Sequence, residues 1–223
     1  ENVMMEPMDF LLWVRGSAFD VAMTIFVIGI LVRLFEIISL GRATDLAEAR
    51  GSEFGPGMKT VLTRSFPEVN TFKRQPLTVI GGYVFHVGLL VSLILFVPHI
   101  QLFQETFGFA WPGLPNPLVD AAAVLGIVGL FAVLWNRLTN PVMRMLSTRE
   151  DYLVWALTLL PMLTGYLAYH RMIDPYPLVL GLHILSVEIL MILFPFTKLM
   201  HTFTLFMARW YNGAMSGRRG VES

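Results

Sequence analysis

The chain has 223 residues, of which 55% are hydrophobic and 14% are charged, and its formal net charge is zero. Soluble domains carry roughly 25% charged residues, so this composition excludes an ordinary soluble domain and indicates a membrane protein. The balanced charge gives no reason to expect nucleic-acid binding. Because cysteine is absent, the chain itself cannot form disulfides, thiolate metal sites or cysteine-held iron–sulfur clusters. Any redox centre held here must therefore use histidine or methionine.

Five apolar segments are long enough to cross a bilayer, because a transmembrane helix needs roughly 20 mostly apolar residues. They cover residues 19–40, 77–102, 117–135, 152–169 and 176–207. The start of the chain lacks the basic region of a secretory signal, so we expect the first segment to be a retained span. The segments show no internal repeat, which argues against a transporter built from inverted halves. We predict one all-α transmembrane domain of five helices over residues 1–223.

Lysine and arginine in the connections predict the orientation of the spans. The first connection, the third connection and the tail contain most of these residues: Arg42, Arg50, Lys59, Arg64, Lys73, Arg74, Arg137, Arg144, Arg149, Arg209, Arg218 and Arg219. The second connection, residues 103–116, contains none. We therefore predict a periplasmic N-terminus and a cytoplasmic C-terminus, in the cytoplasmic membrane of a bacterium or an archaeon. Residues 41–76 form a cytoplasmic loop, which is either a plain connector or a docking platform for a cytoplasmic subunit.

All five histidines fall within or at the end of predicted spans. This is unusual, because ionisable groups at membrane depth are costly and often functional. His183 and His201 are eighteen positions apart in the fifth span, which makes five helical turns, so both side chains would leave the same side of a straight helix about 27 Å apart. His86 and His99 lie at different depths in the second span, which runs the opposite way. Depth therefore pairs His86 with His201 and His99 with His183.

Two such pairs suit two stacked haems, one in each leaflet of the bilayer. Neutral imidazole can bind low-spin haem iron from both sides without burying a charge. The thirteen positions between His86 and His99 correspond to about 220° of rotation, so the two would not share a face of a straight helix. We expect Pro98 to bend the helix and re-aim His99. His170, at the end of the fourth span, is the alternative ligand of the outer haem.

Two segments carry a family resemblance, namely GYVFHVGLLVSLILFVPHI and GLHILSVEILMILFPFTKLMH. They resemble the membrane cytochrome b subunits of the respiratory nitrate reductase gamma-chain superfamily, and the Phe-His-x-Gly at Phe85–Gly88 is a specific part of that likeness. The Pro-His-Ile at Pro98–Ile100 is most similar to the DsrM-type subunit of the sulfite-reduction-associated transmembrane complex and to related heterodisulfide-reductase-like anchors. Nitrate-type chains place an outer ligand ten residues after the first histidine, where this chain has Phe96. This departure favours the DsrM-type branch.

The resemblance implies a dihaem b-type cytochrome that transfers electrons between a membrane quinone and a cytoplasmic iron–sulfur subunit of the heterodisulfide-reductase type. It implies that His86 and His201 are the ligands of the haem nearer the cytoplasm and that His183 is one ligand of the outer haem. We assign His99 as the other. Membrane lipid and further membrane or periplasmic cytochrome subunits are additional expected partners. The catalytic chemistry would lie on another polypeptide, so the sequence does not decide whether this chain is itself an enzyme.

Other polar residues near the two predicted haems are candidates for quinone binding and for pairing with propionates. The quinone candidates are His99, Gln101 and Trp111, and the propionate candidates are Arg74, Lys198 and Arg209. Positive-inside charge and snorkelling are a second explanation of the basic residues. Glu188, in the middle of the fifth span, is either a proton-linked group or a structural hydrogen-bonding group. The alternatives to two haems are a cytochrome with one haem and a haem-free anchor or transporter whose histidines bond between helices.

Overall fold

The computed structural model describes residues 6–41 and 45–221, and these residues form helices and connections without a strand. Five of the helical segments are long and apolar enough to cross a membrane: Pro7–Ser39, Pro76–Ile94, Asn116–Thr139, Arg149–Tyr169 and Tyr176–Phe196. The prediction of an all-α multi-pass membrane protein is therefore confirmed.

The chain divides into two compact units. The first unit takes in the chain up to Met23 together with Gln75–Met191, and the second takes in Thr24–Arg74 together with the chain from Ile192 onward. The boundaries at Met23 and Met191 fall inside the first and the last of the five spans. The two units are described separately below.

The first span begins earlier than the expected residue 19. Helix α1 covers Pro7–Trp13, a π-helical turn covers Val14–Ala18, and helix α2 covers Phe19–Ser39. Gly16 has φ −108° and ψ −110°, so the backbone departs from helical geometry there, and glycine tolerates such a conformation because it has no Cβ. Arg15 and Gly16 interrupt the apolar pattern of the sequence, which is why hydropathy places the start of the span too late.

The second span is shorter than the expected 77–102, because the helix breaks before Pro98. Helix α5 covers Pro76–Ile94 and helix α6 covers Val97–Phe107, and Phe96 between them is extended, with φ −83° and ψ 124°. Proline has no N–H, so Pro98 cannot donate the helical hydrogen bond to the carbonyl of Ile94. The chain therefore changes direction one turn before His99.

The third and fourth spans follow the expected positions and extend them. Helix α7 covers Asn116–Thr139, helix α8 covers Pro141–Leu146, and helix α9 covers Arg149–Tyr169. Helix α5 packs tightly on α7 through glycines: a Cβ added at Gly88 would lie 2.7 Å from Cα of Gly126. Small residues of this kind let two membrane helices approach closely.

The fifth span is not the continuous helix over 176–207 that the histidine spacing assumes. Helix α10 covers Tyr176–Leu193, two short 3₁₀ turns cover Phe194–Phe196 and Lys198–Met200, and helix α11 covers His201–Arg218. Thr197 is extended, with φ −125° and ψ 175°. His183 and His201 therefore stand on different helices, and the count of five turns along one axis does not apply to them.

The predicted docking loop contains two helices, both of which belong to the second unit. Helix α3 covers Phe54–Thr63 and helix α4 covers Val69–Arg74. Helix α3 lies against α11 at Gly213 and Gly217, where an added Cβ would lie 2.5 Å from the carbonyl oxygen of Pro56 and from Cγ of Pro56, respectively. The small-xxx-small spacing of these glycines is typical of close helix pairs.

Ion pairs join the same loop to the C-terminal segment. Arg218 Nη1 donates to Glu53 Oε1 at 3.1 Å, and Arg219 Nε donates to Asp45 Oδ2 at 3.1 Å. A hydrogen bond from the backbone N–H of Ala47, together with the bond from Arg219, lowers the pKa of Asp45 from its ordinary value. The loop and the tail of the second unit thus form one joined surface.

We predict that Gly213→Ala loosens α3 from α11. The new methyl group would collide with the Thr60 hydroxyl and with the Pro56 carbonyl oxygen, and such overpacking typically costs about 1–3 kcal/mol. Tryptic cleavage after Lys59 and Arg64 in the purified protein should become faster. The control is Gly55→Ala on α3, because a Cβ at Gly55 meets nothing within 4 Å; equal cleavage rates in the two variants would contradict the packing described here.

Candidate functional site

His99 and His183 lie side by side in the first unit. Their ring centroids are 6.1 Å apart, and their planes differ by 20°. Two imidazoles that bind one metal ion from opposite sides have centroids about 6 Å apart, given a metal–nitrogen bond of about 2 Å on each side. The separation of the two rings therefore matches that of two axial ligands on a single metal ion.

The His99 ring is held by the helix break that precedes it. Its Nδ1 lies 2.7 Å from the carbonyl oxygen of Ser92. Ser92 is in the last turn of α5, where carbonyls have no helical N–H partner. The imidazole thus satisfies a carbonyl that the break leaves unpaired, and this bond fixes the position of the ring.

The His183 ring is held by α9. Its Nδ1 lies 3.0 Å from the carbonyl oxygen of Pro161 and 3.4 Å from Oγ1 of Thr164. Gly165 lets the ring come this close, because a Cβ at that position would lie 2.9 Å from Cε1 of His183. The missing side chain of one helix therefore makes room for the imidazole of the next.

Both hydrogen bonds select the same tautomer. A carbonyl oxygen only accepts, so Nδ1 of His99 and Nδ1 of His183 each carry the proton that they donate. The lone pair of the neutral ring is then on Nε2. Among the described residues no hydrogen bond uses Nε2 of either ring. A backbone acceptor on the far nitrogen is the usual second partner of a metal-binding histidine.

His170, the alternative outer ligand, is engaged elsewhere. Its Nε2 lies 3.3 Å from Oδ1 of Asp120 on α7, and its ring contacts Tyr166 and Tyr169 with centroids 4.4 and 5.1 Å away. The structure therefore brings His99 to His183, whereas it pairs His170 with a carboxylate.

His86 and His201 belong to different units, so their predicted pairing stays a prediction. His86 Nδ1 lies 2.7 Å from the carbonyl oxygen of Gly82, one turn earlier on α5. His201 Nδ1 lies 2.7 Å from the carbonyl oxygen of Lys198, at the start of α11. Each ring therefore has the same Nδ1-to-backbone bond as the two outer histidines.

Of the candidate quinone residues, Trp111 already uses its N–H in a hydrogen bond within the protein, whereas Gln101 is exposed. Trp111 donates its Nε1–H to the carbonyl oxygen of Ile94 at 2.7 Å, so this N–H caps helix α5. Gln101 is exposed on α6. Aromatic rings surround this end of the unit: Phe103 and Phe109 lie 5.3 and 5.8 Å from Trp111.

The candidate propionate residues are all in the second unit. Arg209 Nη1 donates to Oγ of Ser65 at 3.0 Å, which ties α11 to the end of α3. Arg74 is exposed at the end of α4, and Lys198 is exposed in the second 3₁₀ turn. These placements leave their role as propionate partners a prediction.

Sequence reasoning missed the residues that position the outer histidines. These residues are Ser92, Pro161, Thr164 and Gly165. It also missed Asp120, the partner of His170. A proline followed four positions later by glycine inside a span was a visible signal, because both residues are poor helix formers. The other contacts join segments far apart in sequence and follow only from the fold.

The described residues contain no group of three or more histidine, cysteine, aspartate or glutamate side chains that could hold a metal ion. A site built from two histidines therefore needs further ligands from another molecule. A porphyrin supplies four nitrogen ligands in one plane, which leaves the two axial positions for protein. The donor set at His99 and His183, two neutral imidazoles on a membrane protein, fits that requirement.

Comparison with known proteins gives one similarity and no function. No family model matches the chain, and no solved structure matches it. A protein of Nitratidesulfovibrio vulgaris, named only "Protein", is 33% identical over 139 residues. The aligned part covers 62% of this chain and 61% of that protein, so the chain spans less than two thirds of the relative's length.

We predict that Gly165→Leu removes the predicted outer haem, whereas Gly165→Ala weakens its binding. The added side chain would occupy the position of the His183 ring. The measurement is haem content per chain, from the pyridine haemochrome spectrum of purified protein. The control is Leu160→Ala on the same helix, where the side chain is 47% exposed. Full haem content in Gly165→Leu would show that His183 does not hold haem in this position.

Proposed function

We propose that this protein is a dihaem b-type cytochrome, the membrane subunit of a quinone-linked oxidoreductase in a bacterial or archaeal cytoplasmic membrane. The observation that carries the proposal is the pair His99 and His183, at the centroid separation expected of two axial ligands. The resemblance of the second and fifth spans to the DsrM-type branch of the nitrate reductase gamma-chain superfamily supports it independently.

Haem iron, when bound, changes between the ferric and ferrous states and so carries one electron. His99 and His183 would hold the iron from both sides, which would leave no place on it for oxygen or a substrate. As neutral imidazoles they would do so without bringing a charge of their own into the membrane, so the desolvation cost would be low.

His86 and His201 would hold the second haem, nearer the cytoplasm. The resemblance supports this pair, and both rings have an Nδ1 bonded to a backbone carbonyl oxygen, which is one of the usual arrangements of a metal-binding histidine. Two haems at different depths would carry electrons across most of the bilayer. The two haems would then connect a quinone site outside with an acceptor or donor inside.

A quinone would bind beside the outer haem, near His99 and Gln101. Trp111 would shape the site with its ring, since its N–H is used by the Ile94 carbonyl. On the cytoplasmic side, α3, α4 and the C-terminal end of α11 would dock an iron–sulfur subunit. The two ion pairs that join residues 41–76 to the C-terminal segment support the docking-platform interpretation of this loop over a plain connector.

A haem-free membrane anchor is the second candidate. The bond between His183 Nδ1 and the Pro161 carbonyl oxygen joins two helices, and such a bond would stabilise the helix pair without any cofactor. This candidate gives a colourless protein that folds fully. A third candidate, a cytochrome with a single haem, would be recognised by a content of one haem per chain instead of two.

We predict two haems b per chain in the purified protein, and one haem in each single histidine variant of a ligating pair. His99→Ala and His183→Ala should lose the same haem, because one missing axial ligand opens the outer site. His201→Ala should lose the other. The measurement is the reduced-minus-oxidised absorption spectrum together with haem content per chain.

The matched control is His170→Ala, which should keep both haems because its Nε2 faces Asp120. A folded protein without haem would rule out the proposed function. Loss of a haem in His170→Ala with full retention in His99→Ala would show that the outer ligands are wrongly assigned.

A further inference from the structure

Glu188 is a buried carboxyl group on α10 that the proposed electron transfer does not use. It is only 2% exposed, and its Oε1 has no hydrogen-bond partner among the described residues. A buried polar atom without a partner is costly, and a buried charge is far more so. A carboxyl group in this position inside a membrane span therefore calls for a functional explanation.

Within the part of the chain that the structure describes, no ion pair is found for this carboxyl group. Helix α9, which contacts α10 between Thr164 and Ser186 at 3.3 Å, carries no charged residue after Asp151. Helix α10 itself carries only His183 as a further ionisable group besides Tyr176 at its start.

The other elements near α10 in the first unit also offer no buried cation. The first span packs against α10 where Phe10 meets Gly181, and its charged side chains Asp9, Arg15 and Asp20 are exposed. Helix α6 brings His99 to His183, and its one charged residue, Glu105, is exposed.

We propose that Glu188 is a redox-linked proton-binding site, which takes up one proton when the outer haem is reduced. This inference rests on the proposed function. Glu188 follows His183 by five positions, which is about 7.5 Å along a helix axis. Both residues lie on the continuous helix α10, and two charges separated by a distance of this order interact appreciably inside a protein.

The charges balance in a simple way. A haem between two neutral imidazoles would bring one net positive charge in its oxidised form and none in its reduced form. In the oxidised protein that charge would stabilise the Glu188 carboxylate. In the protein reduced by one electron from quinol, that stabilisation would be absent, and a carboxylate oxygen of Glu188 would bind one proton from water. The proton would return to water when the electron leaves for the next carrier.

The test is a potentiometric titration of the haem absorbance in the purified protein at a series of pH values across neutrality. The midpoint potential of one haem should fall as pH rises, with a limiting slope of about 59 mV per tenfold change in proton activity. Glu188→Gln should abolish the slope. The control is Glu105→Gln, which exchanges an exposed carboxyl group of the same unit and should keep the wild-type slope.

Infrared difference spectra of the unmodified protein give a second readout, which can be measured even if Glu188→Gln does not fold. Reduction should produce the C=O band of a protonated carboxyl group, and Glu188→Asp should shift that band. Haem midpoints that are independent of pH, or a slope that persists in Glu188→Gln, would overturn this inference alone. A protein without haem would overturn the proposed function as well, so the two failures are distinguishable.

Discussion

The candidate site depends on the interruption of the second span between Ile94 and Val97. A membrane offers no water to the carbonyls at a helix end, so each must find a partner within the protein. The imidazole of His99 donates a hydrogen bond to the carbonyl oxygen of Ser92, and the indole N–H of Trp111 donates to that of Ile94. The backbone N–H of Leu114 donates to the carbonyl oxygen of Leu95 at 2.9 Å. One proline therefore both ends the helix and creates the acceptor that orients the imidazole.

The imidazole of His183 is also oriented by a backbone carbonyl, but without a break in the helix that supplies it. Helix α9 remains continuous through Pro161, and the absence of a side chain at Gly165 opens its surface to His183. In both halves a backbone carbonyl receives the Nδ1 proton, so the tautomer is decided by the main chain. Backbone acceptors suit a membrane interior, because they orient a histidine without adding a charge. Two rings held in this way can keep both axial positions of a metal filled, which suits electron transfer rather than substrate chemistry.

The sequence was sufficient to predict five spans, because hydropathy depends on local composition. It did not predict the break at Phe194–Thr197, where Pro195 was the one local signal of the interruption between His183 and His201. The sequence favoured His99 over His170 as the outer ligand, through the bend expected at Pro98. It could not predict the contact of His170 with Asp120, fifty positions earlier, or the approach of α9 to α10, because neither has a local signal. The bend at Pro98 was predictable, since the missing N–H of proline acts on its own helix.

In the proposed function, neutral histidine pairs would bind the iron of two haems from both sides, so that the iron would only pass electrons. Low-temperature electron paramagnetic resonance of the oxidised, purified protein measures this directly, because ferric haem with two imidazole ligands is low-spin. We expect two low-spin signals of equal intensity and no high-spin signal. A dominant high-spin signal, which indicates an open axial position, or a folded protein with no haem signal would contradict it.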